Sequence, residues 1–270
     1  MTTLAVVGNS HVYALQAALG ADARGITSAL PAGLELSFAV VRIDLGDALI
    51  WKGMPAVSGY EIVGSWHDAL VDVIGGADYV VIQWDGNQMN TRALIGHGVA
   101  FDVVLPDDGA DVVVDATEMI PYAVVHHFVQ SSLRNSAQLA KLMELCAARG
   151  GRPLAFLGPP PPLPSHAIRE RLAHETYFVE KANDLGIPLD DVPLVDDAVR
   201  SRLWQILIDT YRGFAAEAGA TFLDPPASAK DASGVLKDEY WGRDATHANG
   251  EYGSHYLTTV LDWLSEASRV

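Results

Sequence analysis

Residues 4–11 read Leu4-Ala5-Val6-Val7-Gly8-Asn9-Ser10-His11. The four apolar residues at the start predict a strand covered on both faces, as in a parallel sheet. Gly8 permits a tight turn at the end of that strand, and a helix after the turn would direct its first N–H groups toward the Ser10 hydroxyl. Asn9 or Ser10 could equally be an ordinary helix cap. The stretch predicts an α/β fold and offers a candidate nucleophile.

Short apolar runs alternate with longer segments of helical periodicity along the rest of the chain. After the strand at residues 4–7, we predict strands at residues 36–43, 79–84, 154–157 and 221–223. The helices predicted between and after them cover residues 13–21, 66–74, 117–149, 197–218 and 251–267. This alternation predicts a mostly parallel sheet with helices on both faces, and one domain of 270 residues.

The segment from residue 89 to residue 115 interrupts the alternation. Residues 101–105 and 112–114 are mostly apolar and flank a Pro-Asp-Asp-Gly sequence, which predicts a small hairpin. An insertion after the carboxyl end of a strand falls where ligands bind in open α/β sheets. The segment is therefore either a lid or wall of a cleft, or a surface loop without a role in binding.

The composition limits the partners and the location of the protein. The chain has 34 acidic and 18 basic residues, a formal charge of −16. Because nucleic acids and anionic membranes are bound by clustered Lys and Arg, we predict neither as a partner. No apolar run reaches the ~20 residues of a membrane helix and no signal peptide is recognised, so we predict a cytoplasmic protein. Cys146, the single cysteine, lies on an apolar helical stripe and is predicted to be a buried structural thiol.

A carboxylate and an imidazole stand three residues apart near the other end, in Arg243-Asp244-Ala245-Thr246-His247. This spacing lets Asp244 fold back onto the His247 ring, where it would fix the tautomer and stabilise the charged ring. With Ser10, these residues would make a nucleophile, a general base and an orienting acid. The alternative is that Asp244 caps the last helix and His247 is a surface residue.

A side-chain amide follows the predicted strand at residues 79–84, in Asp85-Gly86-Asn87-Gln88. Asn87 would lie over the same carboxyl edge of the sheet as Ser10 and could donate to a developing oxyanion. Gly-Asn is also a common turn pair, so a plain turn is the alternative. Ser10, Asn87 and the Asp244 loop all fall at or near the carboxyl ends of predicted strands, where a doubly wound sheet places its site.

Three blocks of the chain, taken in order, resemble those of the SGNH/GDSL hydrolase superfamily. They are Ser10 in a Gly-x-Ser block, Asn87 after the third strand and the Asp-x-x-His block before the last helix. The resemblance spans most of the chain. It implies a flavodoxin-like three-layer α/β/α fold and serine ester hydrolysis, with Ser10 as nucleophile, His247 as base and Asp244 as its partner. The implied oxyanion hole consists of the Ser10 N–H, a glycine N–H and the Asn87 side chain.

The chain departs from the usual motifs of that superfamily at three places. Asn9 replaces the aspartate of Gly-Asp-Ser, and Asp85 stands where the glycine of Gly-x-Asn-Asp is usual. The glycine of the second block is not clearly marked: Gly46 is our choice, and Gly53 is the alternative. These departures leave open two other functions, an O-acyltransferase with the same triad and a non-catalytic binding protein on this fold.

Three further residues near these blocks are candidates for substrate binding. Tyr240 and Trp241 precede the Asp244 loop, and flat aromatic faces suit a sugar ring or an acyl chain. His11 is expected to point away from Ser10 and to line the cleft or cap locally. The sequence has no metal or dinucleotide motif, so we predict no cofactor and no metal. The predicted function is an esterase or deacylase for a small acyl ester, such as acetyl on a carbohydrate.

Overall fold

The computed structural model describes residues 2–21, 30–52, 60–84, 96, 99–106 and 118–269, apart from the side chains of residues 21 and 44. The strands are β1 (Thr2–Gly8), β2 (Leu34–Arg42), β3 (Asp47–Lys52), β4 (Glu61–Val63), β5 (Tyr79–Gln83), β6 (Phe101–Val104), β7 (Glu118–Pro121), β8 (Leu154–Leu157) and β9 (Thr221–Leu223). The α-helices are α1 (Val12–Ala21), α2 (Trp66–Gly75), α3 (Tyr122–Arg134), α4 (Ala137–Ala147), α5 (Ser165–Arg171), α6 (Thr176–Leu185), α7 (Asp197–Glu217) and α8 (Gly250–Ala267).

A mostly parallel sheet forms the centre of the fold. Among the described strands its order is β4-β3-β2-β1-β5-β8-β9, and all neighbours from β2 to β9 pair in parallel. Numbered by themselves in chain order, these parallel strands have the spatial order 2-1-3-4-5 of the flavodoxin-like fold. Two apolar clusters, one on each face of the sheet, complete three layers. The predicted three-layer α/β/α fold is confirmed.

β1 lies in the middle of the sheet because its side chains are apolar on both faces. Leu4 and Val6 pack into one apolar cluster, while Ala5 and Val7 pack into the other. At the carboxyl end of β1, a Cβ on Gly8 would lie 1.8 Å from the carbonyl oxygen of Gln83 in β5. Only glycine fits this close approach, which fixes the point where β1 ends and the following turn begins.

Most of the predicted elements are present, with bounds that differ by two residues or fewer. The strands β8 and β9 have the predicted bounds. The single helix predicted over residues 117–149 is wrong, because β7 occupies its start and residues 135 and 136 separate α3 from α4. The Ser136 hydroxyl accepts the Leu139 amide at 3.2 Å and so caps α4. A polar pair ends one helix and begins the next, although the apolar period continues across it.

Two strands at the sheet edge, β3 and β4, have no counterpart among the predicted elements. They follow β2 through a 3-10 helix at Ile43–Leu45 and pair antiparallel. Apolar runs this short cannot be distinguished from helical segments by periodicity alone.

The segment between β5 and α3 contains a second, two-stranded sheet. β6 pairs in parallel with β7, with Phe101 opposite Glu118, and the predicted hairpin of residues 101–105 with residues 112–114 stays a prediction. Residues 112–114 lie outside the described part of the chain. Arg202 of α7 donates to Asp102 of β6 at 2.9 Å and attaches this small sheet to the helical layer. Because most of residues 89–115 lie outside the described part, a lid or wall formed by them stays a prediction.

The predicted buried thiol is confirmed at Cys146, which lies on the inner face of α4. Burial raises the pKa of this thiol to about 11, so it is protonated at neutral pH. None of the described helices is both long enough and apolar enough to cross a membrane.

Candidate active site

Ser10 lies in the turn between β1 and α1. The Asn9 amide donates to Gln83 O at 3.3 Å, so the turn starts on the two central strands. The Val12 amide then donates to Asn9 O at 3.0 Å, and the Tyr13 amide donates to Ser10 O at 3.1 Å. Helix α1 therefore begins two residues after the serine, which places the Ser10 hydroxyl and amide at the positive end of α1.

Asp244 and His247 lie in the loop that precedes α8. Both carboxylate oxygens of Asp244 are 2.8 Å from His247 Nδ1. Asp244 Oδ1 also accepts the amide of Thr246 at 2.9 Å and the amide of His247 at 2.8 Å. A three-residue spacing permits this local turn. The same carboxylate thus orients the imidazole ring and shapes the loop that carries it.

The two ends of the chain meet at this site. The Ser10 hydroxyl oxygen is 2.7 Å from His247 Nε2, although the two residues are 237 positions apart. Helix α8 follows His247 and packs against α1, which follows Ser10. A Cβ on Gly253 would lie 1.9 Å from the Ala14 carbonyl oxygen. The absence of a side chain at Gly253 therefore lets the two helices approach closely enough to bring serine and histidine together.

Side chains from α5 and the start of α6 fix the loop of Asp244 and His247. The Glu175 carboxylate accepts the Ala245 amide at 2.6 Å, and Arg171 Nε donates to Gly242 O at 3.2 Å. The loop also closes on itself, because the Gly242 amide donates to His247 O at 2.8 Å. Sequence reasoning missed Glu175 and Arg171, since no local pattern connects residues 70 positions apart.

The charges around the loop shift the pKa values of three groups. Burial alone would raise the pKa of Asp244, but the hydrogen bond and charge of His247 and the bonded amides outweigh it and hold this pKa well below its usual range. Burial raises the pKa of Glu175; the Ala245 amide opposes this rise and the Asp244 charge adds to it. Burial and the nearby His247 lower the pKa of His11 well below its usual value. At neutral pH, Asp244 is ionised and His11 is uncharged.

The residues predicted to bind substrate lie in different environments. Trp241 lines the cleft, and its indole N–H donates to Leu236 O at 2.8 Å. Tyr240 is only 3% exposed and packs against Tyr252, so its predicted contact with substrate is wrong. His11 is also 3% exposed, with its ring centroid 4.8 Å from that of His247. His11 therefore packs against the His247 ring instead of lining the cleft, which corrects its prediction.

The predicted glycine of the oxyanion hole is not placed for that role. Gly46 has a φ of 72° after the 3-10 helix Ile43–Leu45, and its amide donates to Ile43 O at 3.1 Å. Because this donor is already used within its own turn, the prediction of Gly46 is wrong. The alternative glycine, Gly53, and the predicted donor Asn87 both lie outside the described residues. The Ser10 amide is the predicted donor whose position the structure describes.

A cleft of about 720 Å³ opens beside the Ser10 hydroxyl. Its lining includes Tyr13, Ala14 and Ala17 of α1 and residues between Trp241 and Gly250. The cleft is large enough for a small-molecule ester. Within the described ranges, no group of three or more His, Cys, Asp and Glu side chains is arranged to hold a metal ion.

Comparisons with known proteins give structural likenesses and no sequence match. No family model matches the chain, and no curated protein matches it. It is similar to a DUF4886 family protein from Bacteroides uniformis, with 10% identity, a TM-score of 0.48 and coverage of 97% of this chain and 82% of that one. An extracellular lipase from Streptomyces rimosus gives 13% identity, a TM-score of 0.47 and coverage of 96% and 98%. A GDSL-like lipase from Bacteroides thetaiotaomicron gives 9% identity, a TM-score of 0.45 and coverage of 100% and 89%. At such identities, the role of each residue has to rest on the geometry of this chain.

Proposed function

We propose that this protein is a divergent SGNH-type serine esterase that hydrolyses small acyl esters. The observation that carries the proposal is the 2.7 Å contact between Ser10 Oγ and His247 Nε2, with Asp244 2.8 Å from the other ring nitrogen. Nε2 can accept the serine proton only when the hydrogen of the neutral ring is on Nδ1. The Asp244 carboxylate accepts a hydrogen bond from His247 Nδ1–H and so favours that tautomer.

In the acylation step, Ser10 Oγ attacks the carbonyl carbon of the ester while His247 Nε2 takes the hydroxyl proton. The carbonyl electron pair moves onto oxygen, and Asp244 stabilises the imidazolium. In this proposal the Ser10 amide donates to the oxyanion, and removal of one such donor typically costs about 3 kcal/mol. When the tetrahedral intermediate collapses, His247 returns its proton to the departing alkoxide, which leaves as an alcohol. The acyl group remains on Ser10.

In the deacylation step, His247 takes a proton from water as the water oxygen attacks the acyl carbon. The proton then passes to Ser10 Oγ, and the carboxylic acid leaves. An acceptor alcohol in place of water would take the acyl group and form a new ester. The same residues therefore also suit an O-acyltransferase, which is the alternative enzyme function.

The proposed substrate is a small acyl ester, such as an acetyl group on a carbohydrate. Its support is two aromatic side chains, Tyr13 and Trp241, that line the cleft. Aromatic faces pack well on sugar rings and acyl chains. A cytoplasmic location, and the absence of nucleic acid and membrane partners, stay predictions from composition.

Hydrolysis of p-nitrophenyl acetate by the wild type and by Ser10→Ala tests the proposal. We expect Ser10→Ala to lower kcat by about 10³-fold or more, because the nucleophile is removed. The unfolding transition should be unchanged, and a fluorophosphonate probe should label the wild type at Ser10. The control is Ser228→Ala, at an exposed serine, which should keep both the activity and the labelling.

Three outcomes would favour other functions. Activity that survives Ser10→Ala would rule out the serine mechanism. Acyl product on an added sugar or alcohol, formed faster than free acid, would identify an acyltransferase. A natively folded wild type that neither hydrolyses esters nor reacts with the probe would point to the non-catalytic binding protein.

A further inference from the structure

Arg243, which lines the same cleft as Ser10, is a cation to which none of the described residues is bonded. Its side chain is exposed and lines the cleft one position before Asp244. Every other arginine in the described part of the chain donates a hydrogen bond to a protein acceptor. Within the same ranges, Arg243 makes no hydrogen bond and no ion pair. The cleft lined by Ser10 thus also presents a guanidinium that the described residues leave unbonded.

This lack of a partner is unexpected in so acidic a chain. Acidic residues outnumber basic ones by 34 to 18, so carboxylates are plentiful. Arg212, for example, contacts both Asp209 and Asp224. The carboxylate next to Arg243 in sequence, Asp244, is already bonded to the His247 ring and to two backbone amides. Arg243 is therefore left to bind an anion that the described residues do not supply.

The remaining walls of the cleft are mostly apolar. They include Tyr13, Ala14 and Ala17 of α1, and Trp241 and Ala248 of the segment before α8. A ligand that fits all of these surfaces has an apolar or ring-shaped body and one negatively charged group. Guanidinium groups bind carboxylate and phosphate oxygens through paired, charge-assisted hydrogen bonds.

We propose that the ester hydrolysed at Ser10 carries an anionic group, a carboxylate or a phosphate, which Arg243 binds. This inference rests on the proposed esterase function and adds a substrate class to it. Because the formal charge of the chain is −16, its overall field repels anions. Recognition of an anionic ester therefore depends on a local cation, and Arg243 supplies one in the cleft that Ser10 lines.

A matched pair of acetyl esters tests the proposal. The anionic ester is 4-acetoxybenzoate, and the neutral ester is its methyl ester; 4-acetoxyphenyl phosphate carries phosphate in place of carboxylate. The wild type is compared with Arg243→Gln and Arg243→Lys for each ester, so differences between leaving groups cancel. The control is Arg269→Gln, at an exposed arginine bonded to Ser265 in the last turn of the chain.

We expect Arg243→Gln to raise the KM of the anionic ester by about tenfold or more, because a charge-assisted pair is lost. The KM of the methyl ester should change by less than about twofold. Arg243→Lys should give an intermediate KM, since lysine keeps the charge and loses the paired donors. The anionic ester with the larger loss identifies carboxylate or phosphate as the preferred group. Equal changes for the charged and neutral esters, or no change for either, would overturn the proposal.

The test separates this inference from the proposed function. If the neutral ester is hydrolysed and Ser10→Ala abolishes that activity, the esterase proposal stands whatever Arg243 does. If no ester is hydrolysed, the esterase proposal fails, and calorimetric titration with 4-acetoxybenzoate decides the anion site. Binding to the wild type that is lost in Arg243→Gln would support the site. Equal binding to both proteins, or none to either, would refute it.

Discussion

The two halves of the candidate site are held in place by different means. Ser10 follows the central strand β1, and backbone contacts with β5 fix its position, with no room for a side chain at Gly8. His247 and Asp244 lie in a loop that side chains from outside it, those of Glu175 and Arg171, hold through hydrogen bonds. The position of the serine is thus a property of the sheet. The position of the histidine depends on a few replaceable side chains, so the two halves should respond differently to substitution.

The largest effect is expected in the loop half, from Asp244→Asn. The amide cannot stabilise the imidazolium and can favour the wrong tautomer of His247, so kcat should fall by about 10³- to 10⁴-fold. Steady-state hydrolysis of p-nitrophenyl acetate measures this loss. The control is Asp262→Asn, at an exposed position on α8. A kcat within tenfold of the wild type would show that Asp244 is not the orienting acid.

Asp244→Asn should also change how the free energy of unfolding depends on pH. The pKa of Asp244 is depressed in the folded protein, so its stabilising contribution is present above the unfolded value of about 3.9 and is lost as the pH falls. Denaturant unfolding at pH 7 should therefore show the wild type to be more stable than Asp244→Asn. This difference should shrink between pH 4 and pH 2. A difference that does not change with pH would contradict the ionised pair.

In the sheet half of the site, Gly8→Ala should lower the free energy of unfolding. The new Cβ would lie 1.8 Å from the Gln83 carbonyl oxygen, so β1 and β5 would have to separate. We expect a loss of about 3 kcal/mol in the free energy of unfolding, at the upper end for an overpacked site. Gly64→Ala is the control, since a Cβ there meets nothing within 4 Å. A loss no larger than that of the control would mean that the sheet does not hold the serine as described.

The smallest effect is expected from Glu175, which touches only the backbone of the loop. Glu175→Ala leaves the Ala245 amide without its acceptor, and kcat should fall by about tenfold.

Glu175→Gln keeps an acceptor and removes a negative charge near Asp244 and His247. Protonation of the His247 ring to the imidazolium then becomes less favourable. The acid limb of the kcat/KM profile should therefore move to lower pH, with little change in kcat at pH 8. Glu180→Gln, at an exposed site on α6, should leave the profile unchanged, and identical profiles for all variants would exclude a positioning role.

The sequence was sufficient to predict the parts of the site that depend on local patterns. Asp244 and His247 meet because a three-residue spacing lets a carboxylate turn back on a ring. Ser10 follows a strand whose residues 4–7 are apolar and which ends in glycine. The bounds of β8 and β9 were predictable because prolines follow each strand closely and cannot continue a sheet.

The parts of the fold and site that could not be predicted depend on contacts between residues far apart in sequence, or on which acceptor a single backbone N–H binds. Glu175 and Ala245 are 70 positions apart, and nothing in either segment indicates their hydrogen bond. Gly46 looked suitable because it follows a strand, but its amide is used within its own turn. The break at Ser136 was hidden by an apolar period that continues through it. In each case the deciding contact is absent from any short stretch of sequence.

Ser10 and His247 meet only after α8 has packed closely against α1 at Gly253, so the order in which the ribosome makes these two helices matters for the site. The ribosome makes Ser10 237 residues before His247. While those residues are translated, the nascent chain therefore carries the Ser10 hydroxyl without its proposed base. Only when α8 has left the exit tunnel and docked on α1 does the imidazole reach that oxygen, so the proposed hydrolysis cannot begin before α8 is made.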